Sequence, residues 1–166
     1  MKLSLLALTL GSSLLMLSNV SHADGHLEGH TTTKASSEKQ AKTAVTFRKS
    51  VLQLVRANMG PLGAMAKGNI PMDAEVIAKN ANRIEFLGNM MHDYFALDTS
   101  AYKLDTDAKS NIWSNHEDFS AKTNDMVVAA ANLQALVANN EEGDYRRGIG
   151  ALGGTCKACH DEYKQD

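Results

Sequence analysis
The chain has two cysteines, and both stand near its C-terminus in the run Cys156-Lys157-Ala158-Cys159-His160. Two thiols at this spacing can add to the two vinyl groups of one porphyrin, and the adjacent imidazole can reach the iron as an axial ligand. On a helix, Cys156 and His160 lie one turn apart with Cys159 beside them, so a single face presents all three groups. Leu152 and Ile149 continue that face upstream and could support a porphyrin edge. The spacing points to haem c, one per chain and covalently attached, with Cys156, Cys159 and His160 binding the cofactor and His160 ligating the metal. Three rival chemistries use the same residues. A thioredoxin-like dithiol usually starts a helix after a strand, and no strand pattern precedes Cys156. A zinc site needs another ligand or two, and there is no second thiol pair. A structural disulfide suits an oxidising compartment and stays open at this point.

Such a site needs a compartment and a scaffold. The 166 residues are 43% hydrophobic and 22% charged, with 17 basic and 19 acidic side chains and a net charge of -2. This is the composition of one ordinary globular domain. Without a local Lys/Arg surplus, a phosphate-neutralising surface is unsupported, so no nucleic-acid partner is expected. Met1-Lys2, an apolar run from Leu3 to Leu17 and the small-residue end Ser21-His22-Ala23 read as a secretory signal, residues 1–23, cleaved after Ala23. The run is short and interrupted for a membrane anchor, so export to the periplasm without stable membrane insertion is expected. Residues 24–40 are polar and lack apolar periodicity, which reads as a flexible N-terminal segment; His26 and His30 belong to it as parts of a solubilising linker.

From residue 41 to 166 the pattern is helical. Val45, Leu52, Val55, Met59 and Leu62 form one apolar stripe, bent at Gly60-Pro61 and closed by Gly68 to Pro71. Asp73 suits the N-cap of a second helix, with Val76, Ile77, Ile84, Leu87, Met91 and Phe95 facing inward. Residues 96–115 form a long connection that needs short turns or packing by Tyr102, Leu104, Ile112 and Trp113. Phe119, Met126, Ala130, Leu133 and Val137 define a third helix, and Tyr145 to Tyr163 a fourth. The expected fold is all-α, an antiparallel four-helix bundle with covalently attached haem c. Aromatic residues are 5% of the chain, which leaves core volume that a porphyrin would fill.

Arg48 lies one turn before Leu52, a permanent cation beside an apolar face. A haem propionate is a sensible partner for it, and snorkelling to solvent at the bundle edge is the other reading. Leu52 reads first as a core leucine. Beside a haem it would cover the distal face with a branched hydrocarbon that cannot donate to iron.

Between Thr43 and Lys164 the sequence resembles class II cytochromes c, specifically cytochrome c prime. The matching landmarks are Phe47-Arg48-Lys49-Ser50, Gly63-Ala64-Met65-Ala66-Lys67-Gly68 followed by Pro71, Ile112-Trp113, Gly143-Asp144 and Gly154-Thr155-Cys156-Lys157-Ala158-Cys159-His160. The resemblance implies a four-helix bundle with a five-coordinate, high-spin iron and His160 as proximal ligand on the solvent side. It also implies Leu52 over the distal face and Arg48 near a propionate. Lys164 stands where the family commonly has an arginine near the proximal imidazole, and lysine lacks the planar fork. His92 departs from an aromatic residue of some relatives. Met59 and His92 are the candidate sixth ligands of a low-spin alternative.

The expected function is therefore an exported monohaem c-type cytochrome that binds small diatomic gases such as nitric oxide or carbon monoxide and exchanges single electrons with a periplasmic redox partner. Alternatives are a six-coordinate electron carrier and a non-haem structural or metal-handling protein. Relatives often form homodimers through their first two helices, which the apolar stripes allow. No nucleophilic triad, phosphate loop or carboxylate pair suggests an enzyme.

Overall fold
The computed structural model describes residues 32–165. The signal segment 1–23, His26 and His30 lie outside the described residues. In chain order the elements are β1 (Thr33–Lys34), α1 (Glu38–Ala66), α2 (Ala74–Phe95), β2 (Leu97–Asp98), α3 (Asn111–Ser114), α4 (His116–Ala138) and α5 (Tyr145–Tyr163). The long helices α1, α2, α4 and α5 form the antiparallel four-helix bundle.

Local chemistry sets the helix ends. The Ser37 hydroxyl accepts the Gln40 amide at 3.2 Å and starts α1, with Glu38 favourably placed in its first turn. Pro61 lies inside α1, where its ring removes one backbone donor without ending the helix. Gly68 ends this region with φ 75°, a left-handed conformation that costs glycine little. Asp73 caps α2 by accepting the Val76 amide at 3.0 Å.

Two expectations change here. The polar segment assigned to residues 24–40 is ordered from residue 32, because β1 pairs with β2 and Ser37 caps a helix that begins before residue 41. The buried stripe of α1 runs through Val45, Val51, Val55 and Leu62, and Leu52 flanks it at 38% exposure. Neighbouring helix residues differ by about 100°, so a one-residue choice moves a side chain from core to flank.

Helix α2 packs closely on α1 and α4, and α4 on α5, whereas the seam between α1 and α5 is the loosest of the four. Leu62, Ile77, Ile84, Ile112, Leu133 and Leu152 are fully buried between them. The α2–α4 seam needs a glycine at position 88, where an added Cβ would come 2.7 Å from Val127 Cγ2. Among the described residues no helix is long and apolar enough to cross a membrane.

Gly88→Ala is expected to lower stability by about 1–2 kcal/mol net, overpacking outweighing the gain in helix propensity. Gly150→Ala, where an added Cβ meets nothing within 4 Å, should instead raise it by about 0.5–1 kcal/mol. Urea unfolding of both variants checks the contrast.

Candidate functional site
Helix α5 presents the thiols and the imidazole together. Cys156 and Cys159 are half-buried free thiols, and His160 is exposed one turn beyond Cys156. Cys156 Sγ lies 3.7 Å from the Leu152 carbonyl, a weak hydrogen bond within the helix. Burial pushes both thiols up. Cys159 reaches about 11 through burial and its neighbour Cys156, with Lys122 opposing.

The relation of α1 to α5 follows from one tether. An Arg146 guanidinium N–H donates to the Ala66 carbonyl, joining the start of α5 to the end of the antiparallel α1. Leu52 lies fourteen residues before Ala66 and His160 fourteen after Arg146. At 1.5 Å per residue both stand about 21 Å from the tether, hence at one level of the bundle. Met59 lies seven residues before Ala66, roughly 10 Å from the tether and so well below that level.

A shallow groove of about 390 Å³ runs along α1 over Met59, Gly60, Gly63 and Ala64, rimmed by Arg56, Lys67 and Asn69, below the level of Leu52 and His160. Added Cβ atoms at Gly63 on α1, or at Gly153 and Gly154 on α5, would meet nothing within 4 Å. Open space beside a weakly packed seam, two thiols and an exposed imidazole are what a covalently held haem requires.

An aromatic and ionic layer closes the end of the bundle at this level. The Phe95 and Phe119 ring centroids are 4.7 Å apart, and those of Phe119 and Tyr163 are 5.3 Å apart at 85°. The Tyr163 hydroxyl donates to Asp118, tying the end of α5 to α4. Burial, followed by the adjacent carboxylate, raises the Tyr163 phenol above its ordinary range.

Arg48 is buried at 3% exposure, which corrects the reading that it snorkels to solvent. Its Nε donates to the Tyr94 carbonyl at 2.7 Å, Nη1 to Thr99 Oγ1 at 2.9 Å and Nη2 to the Leu97 carbonyl. The guanidinium carbon is 5.0 Å from the ring centroids of both Phe95 and Trp113. Burial lowers its pKa to about 10 against the opposing pull of Asp98. The two carbonyls are invisible in the sequence, since no residue type announces a main-chain acceptor, and Thr99 is one of several hydroxyls in a long connection; the contact of Trp113 with Arg48 is likewise visible only in the fold.

Lys164 is the C-cap of α5. Its amide donates to the His160 carbonyl at 3.1 Å, so its backbone keeps the helical offset from His160, while φ −109° and ψ 136° lead the chain out of the helix beyond it. Its Nζ is 4.0 Å from Asp107 and donates to the Gln165 carbonyl at 3.2 Å. An antiparallel bridge between Ala108 and Lys164 holds the backbone there. His92 is buried on α2, which lies diagonally across the bundle from α5.

The sequence model described as Cytochrome C' matches residues 43–164. The chain belongs to the cytochrome c prime family. The cytochrome c prime of Halomonas halodenitrificans is 32% identical over 131 residues, covering 76% of this chain and 99% of the relative. The structure of cytochrome c prime from Shewanella frigidimarina superposes with a TM-score of 0.69 at 31% identity, covering 76% of this chain and 97% of that one. A ferrous variant of cytochrome c prime from Alcaligenes xylosoxidans with bound NO is similar at a TM-score of 0.67 and 29% identity, covering 76% and 96%. Membership in cytochrome c prime assigns haem binding, gas sensing and electron transfer without enzymatic turnover, and implies one covalently bound haem c per chain.

Arg48→Met leaves two part-buried carbonyls and the buried Thr99 hydroxyl without their donor and is expected to cost about 2–4 kcal/mol in urea unfolding. Tyr163 offers a pH test. Its folded pKa lies above the unfolded value, so its stabilisation is complete below about pH 10 and declines as pH rises from there toward the folded value. Between about pH 10 and 11 the parent protein should lose stability more steeply than Tyr163→Phe, measured by denaturation at each pH.

Proposed function
We propose that the chain is an exported, periplasmic monohaem cytochrome whose iron is five-coordinate and high-spin and binds nitric oxide or carbon monoxide, with one-electron exchange to a periplasmic redox partner. In this reading Cys156 and Cys159 bind the haem, His160 is the proximal ligand, Leu52 covers the distal face and Arg48 stands near a propionate. The haem supplies a redox-active iron with an open coordination position. Export rests on the basic, apolar and small-residue order of residues 1–23.

The observation that carries the proposal is the shared level of Leu52 and His160. Leucine has no donor atom, so the face opposite His160 receives a hydrocarbon cover that excludes water and yields to a small neutral gas. Met59, about half as far from the tether, is poorly placed for a sixth bond. The NO-bound relative supports the same chemistry. Arg48 retains capacity toward a propionate, since a guanidinium has five N–H donors and three bonds within the chain are described above.

A homodimer through α1 and α2 is part of the proposal. Phe47 and Leu54 on α1 and Phe86 and Met90 on α2 are exposed, Phe86 by 66%. Phe47 lies 5.9 Å from the ring of Tyr94, one turn beyond Met90, so the strip crosses the seam between the two helices. Such a strip is apolar surface that association would remove from water.

Expressed with c-type haem maturation, the protein should show broad ferric high-spin bands and ferrous bands that shift with carbon monoxide. Sharp low-spin bands without a gas response would reject the open site, and a chain without covalent haem would overturn the assignment. Leu52→Ala should speed carbon monoxide association about tenfold, equivalent to removing roughly 1.4 kcal/mol of barrier; stopped-flow mixing measures it.

A further inference from the structure
Strand β1 lies upstream of the family-matched residues 43–164, and no role proposed above uses it. It pairs in parallel with β2, Thr33 opposite Leu97 and Lys34 opposite Asp98. The Thr33 amide donates to the Ala96 carbonyl and the Ala35 amide to the Asp98 carbonyl, both at 2.9 Å. Successive carbonyls of an extended strand point to opposite edges. Pairing at positions 96 and 98 therefore turns the Leu97 carbonyl to the other edge, where it accepts from Arg48 Nη2. Thr99, the next residue beyond β2, accepts from Nη1. Arg48 occupies the edge of β2 that a third strand would otherwise take.

The strap is anchored at its other end as well. The Tyr102 hydroxyl donates to the Ala35 carbonyl at 3.4 Å, and the Ser36 amide donates to Gln40 Oε1 at 2.7 Å. Ser37 then caps α1, which carries Arg48 three turns later. The chain thus forms a closed circuit from the α1 N-cap through β1 and β2 to the Arg48 side chain and back to α1. A two-residue ladder is weak by itself. Its leverage comes from fixing acceptors for a buried cation whose desolvation must be compensated.

We propose that β1 is a positioning brace: its pairing sets the edge of β2 on which Arg48 docks, and so fixes the guanidinium one turn from Leu52. The brace rests on the proposed haem site only where the charge is read through the iron.

The test uses Thr33→Pro with Ala35→Pro, which removes both ladder donors, and Tyr102→Phe as a milder variant should the double substitution fail to fold. Each is made in the full-length holoprotein alone and together with Arg48→Met. The brace predicts faster amide hydrogen exchange at 97–99. It also predicts a loss of unfolding midpoint that shrinks markedly in the Arg48→Met background, since the two act as one unit. The haem midpoint potential should fall with the strap variants only while Arg48 is present, because a loosened cation favours the ferrous state less. Additive stability losses, or unchanged exchange at 97–99, would overturn the brace. Non-additive losses with an unmoved potential would uphold it and remove Arg48 from the neighbourhood of the haem.

Discussion
Two helices of this bundle must stand apart and yet stay in register. Side chains close the α1–α2, α2–α4 and α4–α5 seams, while the α1–α5 seam is the loosest of the four. What aligns them is peripheral: Arg146 on the Ala66 carbonyl at one end, and the layer of Arg48, Phe95, Phe119 and Tyr163 toward the other. The close approaches at Gly88 against Val127, and at Gly148 against Leu133 and Leu136, draw in the other seams. The open seam is thus a product of tight packing elsewhere, and it places Leu52 and His160 at one height with donors only on the α5 side.

Electrostatics follows the same division. Arg48, the buried cation of the layer, is satisfied by carbonyls near the end of α2 and by Thr99, which also complements the negative end of that helix. Surface pairs such as Lys42 with Glu38 or Lys157 with Asp161 are exposed and contribute little. The buried charge of the bundle end is therefore the one whose position is most constrained.

The helices were legible because apolar spacing is a local signal, and the proposed attachment residues rest on a signal as local, the Cys-x-x-Cys-His run. The choice between Val51 and Leu52 as the buried residue was not, since the two are adjacent and both fit a 3.6-residue stripe. The partner of the Lys164 side chain was not legible, because Asp107 reaches it only through the long-range bridge between Ala108 and Lys164. The strands escaped notice because two residues are too few to display alternation, and their partners lie more than sixty positions apart. Two of the three acceptors of Arg48 are main-chain carbonyls, which only a fold can reveal.

The Cys-x-x-Cys-His run stands on the last helix, and the leucine proposed to face it stands on the first. Joining them brings together residues about a hundred positions apart, a closure opposed by chain entropy that local helix formation does not offset. A porphyrin already bonded to α5 would carry much of its own apolar surface to that junction, so the cofactor serves as the keystone that completes the tertiary fold as well as the seat of its chemistry.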